Sequence, residues 1–235
     1  MAAQMYRTRN PTSNITPISS HKNFKSVAPT SHLTLHDADP IKDKAILEQI
    51  KSHLLSKGRY GHRNWLIFVI GINSGRRCGD NLHLTIGDVF NPETGEIVKS
   101  VSKKEQKTDK PVTYFLPDLV REAIKDYINS IGFYSLDDPL FRSQKGGFMR
   151  TSTYWAILKE IRDELDLKFQ LSTHSMRKSF GYHKYMAMKD KTLPNGFDVV
   201  DVLQEAYQHS SRKQTLRYLG ITEEVQIDLY NTEVL

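Results

Sequence analysis

The chain has 235 residues, 38% of them hydrophobic, which suffices for one sizeable core, and a formal net charge of +6, which fits a polyanionic partner. Its single cysteine, Cys78, excludes an internal disulfide framework and a cysteine-rich zinc site, and points to a cytoplasmic setting. The longest apolar run, Trp65 to Ile72, is too short to span a bilayer, and the N-terminus lacks the apolar stretch of a secretory signal, so no membrane partner is expected.

Residues 1–33 are rich in Ser, Thr, Asn and Pro without periodicity and read as a flexible tail, followed by a folded region over 34–235. Asp39-Pro40 looks like a helix start, and Ala45, Leu47, Ile50 and Leu54 keep helical spacing as far as Gly58. Trp65 to Ile72 is apolar all round, which predicts a buried helix ending at Ser74-Gly75. A short helix is predicted from Gly79 to Leu84.

The next stretch changes character. Asn91 to Glu96 is turn chemistry between short β-type runs, with strands at Ile97–Val101 and Val112–Phe115 and a hairpin tip from Lys103 to Lys110. Pro117-Asp118 opens a helix closed by Gly132, and Tyr154 to Leu165 mark another. Thr173 is placed to cap a helix carrying His174, Arg177 and Phe180. Pro194-Asn195-Gly196 breaks the chain before a helix over Val199–Tyr207, Ser210-Ser211 cap a helix leading to Tyr218, and Thr222 starts a last one. The fold class expected is α+β, mainly α-helical with a small antiparallel sheet of two or three strands.

Several polar residues form a set. His174 and Arg177 lie three apart, on one helix face; His209 follows, and Tyr218 comes nine residues later. With Arg77 and Lys107 the inventory suits a phosphodiester: cations for the phosphoryl oxygens, proton carriers and a hydroxyl nucleophile. No His, Asp or Glu cluster has metal-ligand spacing, and neither a metal nor another cofactor is expected.

The order Arg, Lys, His-x-x-Arg, His, Tyr resembles that of the tyrosine recombinase (phage integrase) family. The segments Gly75-Arg76-Arg77-Cys78-Gly79-Asp80, Lys107-Thr108-Asp109-Lys110, Leu171 to Gly181, His209-Ser210-Ser211 and Thr215 to Gly220 carry the resemblance, with Gln208 where the family has glycine. It implies the catalytic fold of DNA breaking and rejoining enzymes over 34–235, ending in a tail that contacts a neighbouring protomer. It also implies duplex DNA as substrate, a 3′-phosphotyrosyl intermediate formed without ATP or metal, and further protomers as partners, four on paired sites.

By the same resemblance Tyr218 is the nucleophile, and Arg77 and Arg177 hold the phosphoryl group. His174 and His209 act on the phosphate, Lys107 is the general acid, with Lys104 in reserve, and Asp80 orients the site. Arg76, Lys103, Lys104, Lys110 and Lys178 are expected to contact DNA. Full recombinases of the family carry a helical core-binding domain ahead of the catalytic one, and here only the tail precedes it. A type IB-like topoisomerase and a non-cleaving DNA-binding protein on the same scaffold are the competing readings.

Overall fold

The computed structural model describes residues 6–7, 38–221 and 231. The first helix, α1 (Lys44–Ser56), begins at Asp43, whose carboxylate accepts from the Ala45 N–H at 2.7 Å, rather than at Asp39-Pro40. The reason lies in the tertiary contacts of the segment before it. Ile41 donates its N–H to Ser179 Oγ at 2.7 Å, and its carbonyl pairs with His183 Nε2 at 2.8 Å, so the chain there is docked in extended form.

The apolar run forms α2 (Gly61–Ser74), buried along most of its length. Gly75 ends it at φ +64°, a conformation that glycine adopts without steric penalty. Two short helices follow, α3 (Cys78–Leu82) and α4 (Ile86–Val89), the latter opened by a Thr85–Asp88 capping box.

The expected sheet is a set of separate two-stranded antiparallel ribbons. Strands β2 (Phe90–Asn91) and β3 (Glu96–Ile97) pair around the Asn91–Glu96 turn, and β4 (Ser100–Lys104) pairs with β5 (Pro111–Phe115), Val101 opposite Tyr114. Lys103 and Lys104 therefore belong to a strand, and the tip is shorter than the sequence suggests. A third ribbon joins β1 (Tyr6–Arg7) to β6 (Phe133–Tyr134). It brings one piece of the expected tail onto the folded region; the rest of that tail lies outside the described residues.

Helices α5 (Asp118–Ile131) and α6 (Thr151–Glu164) flank α2 and α1. Next comes α7 (Thr173–Met188), whose cap is Ser172 in a capping box with Ser175, so that Thr173 is its first residue. The chain ends its described part with α8 (Val199–Tyr207) and α9 (Arg212–Leu219), the latter capped by Ser211. The helix expected from Thr222 falls outside the described residues.

Two apolar cores meet at α7. The larger contains Ile50, Leu54, Phe68, Ile124 and Tyr154; the smaller contains Val200, Leu203, Tyr207 and Leu219, with Phe180 packed against it. The close approach of α7 to its neighbours depends on glycine. A Cβ on Gly75 would lie 2.5 Å from the Phe180 ring, and one on Gly181 would lie 2.2 Å from Tyr207 Oη. Among the described residues no helix is long and apolar enough to cross a membrane.

Candidate active site

Three elements bring the candidate residues together: the turn between α2 and α3, the β4–β5 hairpin, and the α7–α9 helices. Arg77 is the N-cap residue of α3, with extended backbone (φ −63°, ψ 144°) directly after the Gly75 turn. Arg76 points inward. It is 3% exposed, its guanidinium carbon lies 5.9 Å from the Tyr114 ring centre, and its Nη1 lies 3.3 Å from Glu105. The expectation that Arg76 is a surface DNA contact is thus corrected: the turn forces consecutive side chains to opposite sides, and Arg76 takes the buried one.

The hairpin carries Lys107 at its exposed tip. Asp80 reaches across from α3 and accepts the N–H of Gln106 through Oδ1 at 3.0 Å, so its carboxylate acts on the hairpin backbone beside Lys107. Its Oδ2 is buried with no hydrogen-bond partner. Glu105, which the sequence reading passed over, is buried between Arg76 and Arg77, the latter with Nη1 at 2.5 Å. Burial pushes the Glu105 carboxyl up, but hydrogen bonds from Thr108 and Arg77 and the charges of both arginines outweigh it and hold the group below the usual carboxylate range.

Helix α7 supplies His174 in its first turn and Arg177 one turn on. Arg177 is 3% exposed and locked by a reciprocal pair of hydrogen bonds. Its Nη2 donates to the Tyr207 carbonyl at 2.9 Å, and the Tyr207 hydroxyl donates to the Arg177 carbonyl at 2.7 Å. The Tyr207 ring also lies 4.7 Å from the guanidinium carbon. Arg177 Nη1 is buried and lacks an acceptor. An unsatisfied buried guanidinium donor is unfavourable, and an anion brought to it would relieve that penalty.

The α8–α9 turn places His209, and α9 places Tyr218, partly buried against the smaller core. Their ring centres are 5.1 Å apart, and His209 Nδ1 pairs with Thr215 Oγ1 at 3.1 Å. Gln208, in the position before His209, takes φ +54° and ψ 41°, the left-handed region that glycine fits. Its Nε2 reaches the Pro111 carbonyl of the hairpin at 3.5 Å.

The charges of these groups act on one another. The His174 pKa is lowered by burial, then by Arg177, Lys178, Arg77 and Lys107. That of His209 falls to about 4 through burial, then Arg177 and Arg77. Burial raises the Tyr218 phenol and outweighs the charge of Arg177, a hydrogen bond from it and the charge of Arg77, which pull it down. Both imidazoles are therefore neutral near pH 7, so they can accept a proton or donate through one N–H.

The lysines expected at DNA divide. Lys103 is engaged internally, donating to the His83 carbonyl at 2.8 Å and pairing with Asp88, which removes it from the set of free backbone contacts. Lys104 lies 3.5 Å from Asp109 across the hairpin and is exposed. Lys110 is exposed at a groove shared with Asp201, Gln204 and His209. Lys178 sits closer to the chemistry than expected, with Nζ 5.5 Å from the Tyr218 ring centre. Glu105, Tyr207 and Thr215 are the supporting residues that the sequence reading missed; only their places in the fold mark them out. Among the described residues no group of three or more His, Cys, Asp or Glu side chains is arranged to hold a metal.

The chain is similar to known proteins along most of its length. The family model described as "Phage integrase family" matches residues 43–224. The probable integrase/recombinase YoeC of Bacillus subtilis is 30% identical over 192 residues, covering 81% of this chain and 93% of that protein. The tyrosine recombinase XerD of Corynebacterium glutamicum is 27% identical over 188 residues, covering 80% of this chain and 54% of its own length. Among solved structures, the XerA recombinase superposes with a TM-score of 0.58 at 18% identity, over 88% of this chain and 68% of that one. The XerH recombinase bound to a palindromic difH substrate gives 0.58 at 24% identity, over 78% and 51%. The chain thus spans about half the length of the XerD and XerH proteins it matches.

Proposed function

The chain belongs to the phage integrase family, and from that premise we propose that it is a site-specific DNA recombinase that cleaves and rejoins strands of duplex DNA through a tyrosine-linked intermediate. The observation that carries the reading is the surroundings of Tyr218: its ring centre lies 5.1 Å from that of His209 and 5.9 Å from the Arg177 guanidinium carbon, and Arg177 Nη1 is buried and lacks an acceptor. A phosphodiester brought there supplies the missing acceptor.

The chemistry follows from the groups. The Tyr218 oxygen attacks phosphorus, the P–O5′ bond breaks, and its electron pair leaves with the 5′ oxygen. Neutral His174 takes the phenol proton, and the Lys107 ammonium gives one to the 5′ oxygen. Arg77 and Arg177 bind the oxygens on which charge builds. In the tautomer whose Nδ1 accepts from the Thr215 hydroxyl, His209 has an Nε2–H to donate to the same group. The phosphotyrosyl bond keeps the energy of the broken one, so rejoining is the reverse step with another 5′ hydroxyl and needs no ATP or metal.

Partners follow from the same reading. The XerH relative is bound to a palindromic substrate, and a palindrome offers two related half-sites. We propose that copies of this chain act together, four on two paired sites, with the segment after residue 221 as the contact between them. In a prokaryote this work takes place in the cytoplasm.

The test is incubation with nicked suicide duplexes drawn from DNA flanking the gene. An SDS-resistant protein–DNA band that disappears in Tyr218→Phe, with DNA binding retained, supports the proposal. Binding without any such band in the wild type rejects it in favour of a non-cleaving DNA-binding protein. Relaxation of supercoiled plasmid by a monomer, without strand exchange, points to a topoisomerase.

A further inference from the structure

Glu105 has no place in the reaction just described, yet the chain commits a buried charge to it. Its carboxylate meets Arg76 Nη1 at 3.3 Å and Arg77 Nη1 at 2.5 Å, and Thr108 Oγ1 donates to it at 2.8 Å. The backbone of the same residue closes the hairpin tip: its N–H donates to the Lys110 carbonyl at 3.0 Å, and its carbonyl accepts from the Asp109 N–H at 2.9 Å. One residue on, the Gln106 N–H donates to Asp80 Oδ1 at 3.0 Å. The tip is therefore clamped to the arginine turn in both directions, by a hairpin carboxylate on the arginines and by an α3 carboxylate on the hairpin backbone. Lys107 is the next residue.

A turn that needed only a stable fold would do as well with an apolar side chain in this place, since burying a carboxylate carries a large desolvation penalty unless partners offset it. What the ion pair adds is a fixed relation between two cations on different elements. We propose that Glu105 is a positioning residue that couples Arg77 to Lys107, setting the hairpin tip so that the Lys107 ammonium reaches the leaving 5′ oxygen of the phosphate that Arg77 binds. The inference rests on the recombinase reading, and on Lys107 as the proton donor within it.

The test uses two nicked duplexes that differ in one atom, the 5′-bridging oxygen or a sulfur in its place. A thiolate is a far better leaving group than an alkoxide and departs without a proton. Wild type, Glu105→Gln, Thr108→Ala and Lys107→Ala are compared for the rate of covalent adduct formation and for affinity to uncleaved duplex. Misplacing the tip slows cleavage of the oxygen duplex about 10–100-fold in Glu105→Gln. Affinity stays within about threefold, because phosphate contacts elsewhere supply most of the binding. The sulfur duplex restores both Glu105→Gln and Lys107→Ala to near the wild-type rate.

Thr108→Ala removes one hydrogen bond to the Glu105 carboxylate at an exposed residue and should fold; a loss of about fivefold on the oxygen duplex is expected, again restored by sulfur. Wild-type rates for both Glu105→Gln and Thr108→Ala on the oxygen duplex would overturn the proposal. Equal losses on the two duplexes would overturn it as well, since Glu105 would then act on Arg77 or on the fold alone. A wild type that leaves no adduct on either duplex would reject the recombinase reading itself, and the coupling with it. A Lys107→Ala defect that sulfur does not repair would reject the proton donor and leave Glu105 nothing to position.

Discussion

Replacing Gly181 by alanine should move the part of the molecule that carries Tyr218. The added methyl would lie 2.2 Å from Tyr207 Oη and 2.5 Å from Leu219 Cδ2. Ordinary contact begins near 3.4 Å, so the Tyr207 hydroxyl has to withdraw by about 1.2 Å, the difference of the two distances. Overpacking of this kind is destabilising by about 1–3 kcal/mol. The same movement breaks the bond from Tyr207 Oη to the Arg177 carbonyl, and the buried hydroxyl left without its acceptor adds about 1–3 kcal/mol. Against this, alanine in a helix interior is better than glycine by about 1 kcal/mol. The net is a loss of about 1–5 kcal/mol. Urea unfolding of Gly181→Ala measures it directly, and adduct formation should fall along with it because Leu219 is the neighbour of the nucleophile. The outcome has a sign: a variant more stable than wild type by about 1 kcal/mol would mean that propensity alone operates and that α7 does not meet α8 and α9 as described.

Three other outcomes follow from the same contacts. Gln208 holds φ +54°, so Gln208→Gly should be at least as stable as wild type, whereas β-branched Gln208→Val should lose about 1–2 kcal/mol by thermal or urea unfolding. His209 has a pKa depressed to about 4 in the fold against its ordinary value of 6.5, so its contribution to stability is complete above pH 6.5 and disappears as pH falls from 6.5 toward 4. Unfolding free energies measured across that window should depend less on pH in His209→Gln than in wild type, and an unchanged slope would contradict the burial of this imidazole beside Arg177. Tyr207→Phe should lower stability by about 0.5–1.5 kcal/mol yet still form the adduct, since its hydroxyl serves the Arg177 carbonyl, which keeps its helical partner, and not the phosphate.

Periodicity located most helices because a single buried face suffices to define each one, as with Val120, Ile124 and Tyr127 on α5. It failed where distant partners decide. Pro40 lies in a segment held by Ser179 and His183, far along the chain, so the cap falls at Asp43. The ribbon from Phe133 to Tyr134 is too short to show alternation, and its partner is Tyr6–Arg7. The candidate chemical groups were legible through order and spacing, and the fold brings them to one place. Their supports were not legible. Nothing in the string Arg76-Arg77 says which side chain turns inward, because the answer is a carboxylate 29 positions away. Tyr207 read as one more apolar position of α8, although its carbonyl holds the Arg177 guanidinium and its hydroxyl the Arg177 carbonyl.

The most direct measurement is the identity of the tyrosine that holds DNA. The trapped adduct is digested with nuclease and then trypsin, which cleaves after Arg217 and releases the peptide from Tyr218 to Leu235. That peptide also contains Tyr230, so fragmentation has to separate the two positions. The account requires the nucleotide remnant on Tyr218. A remnant on Tyr230, or on a peptide from elsewhere in the chain, would contradict it.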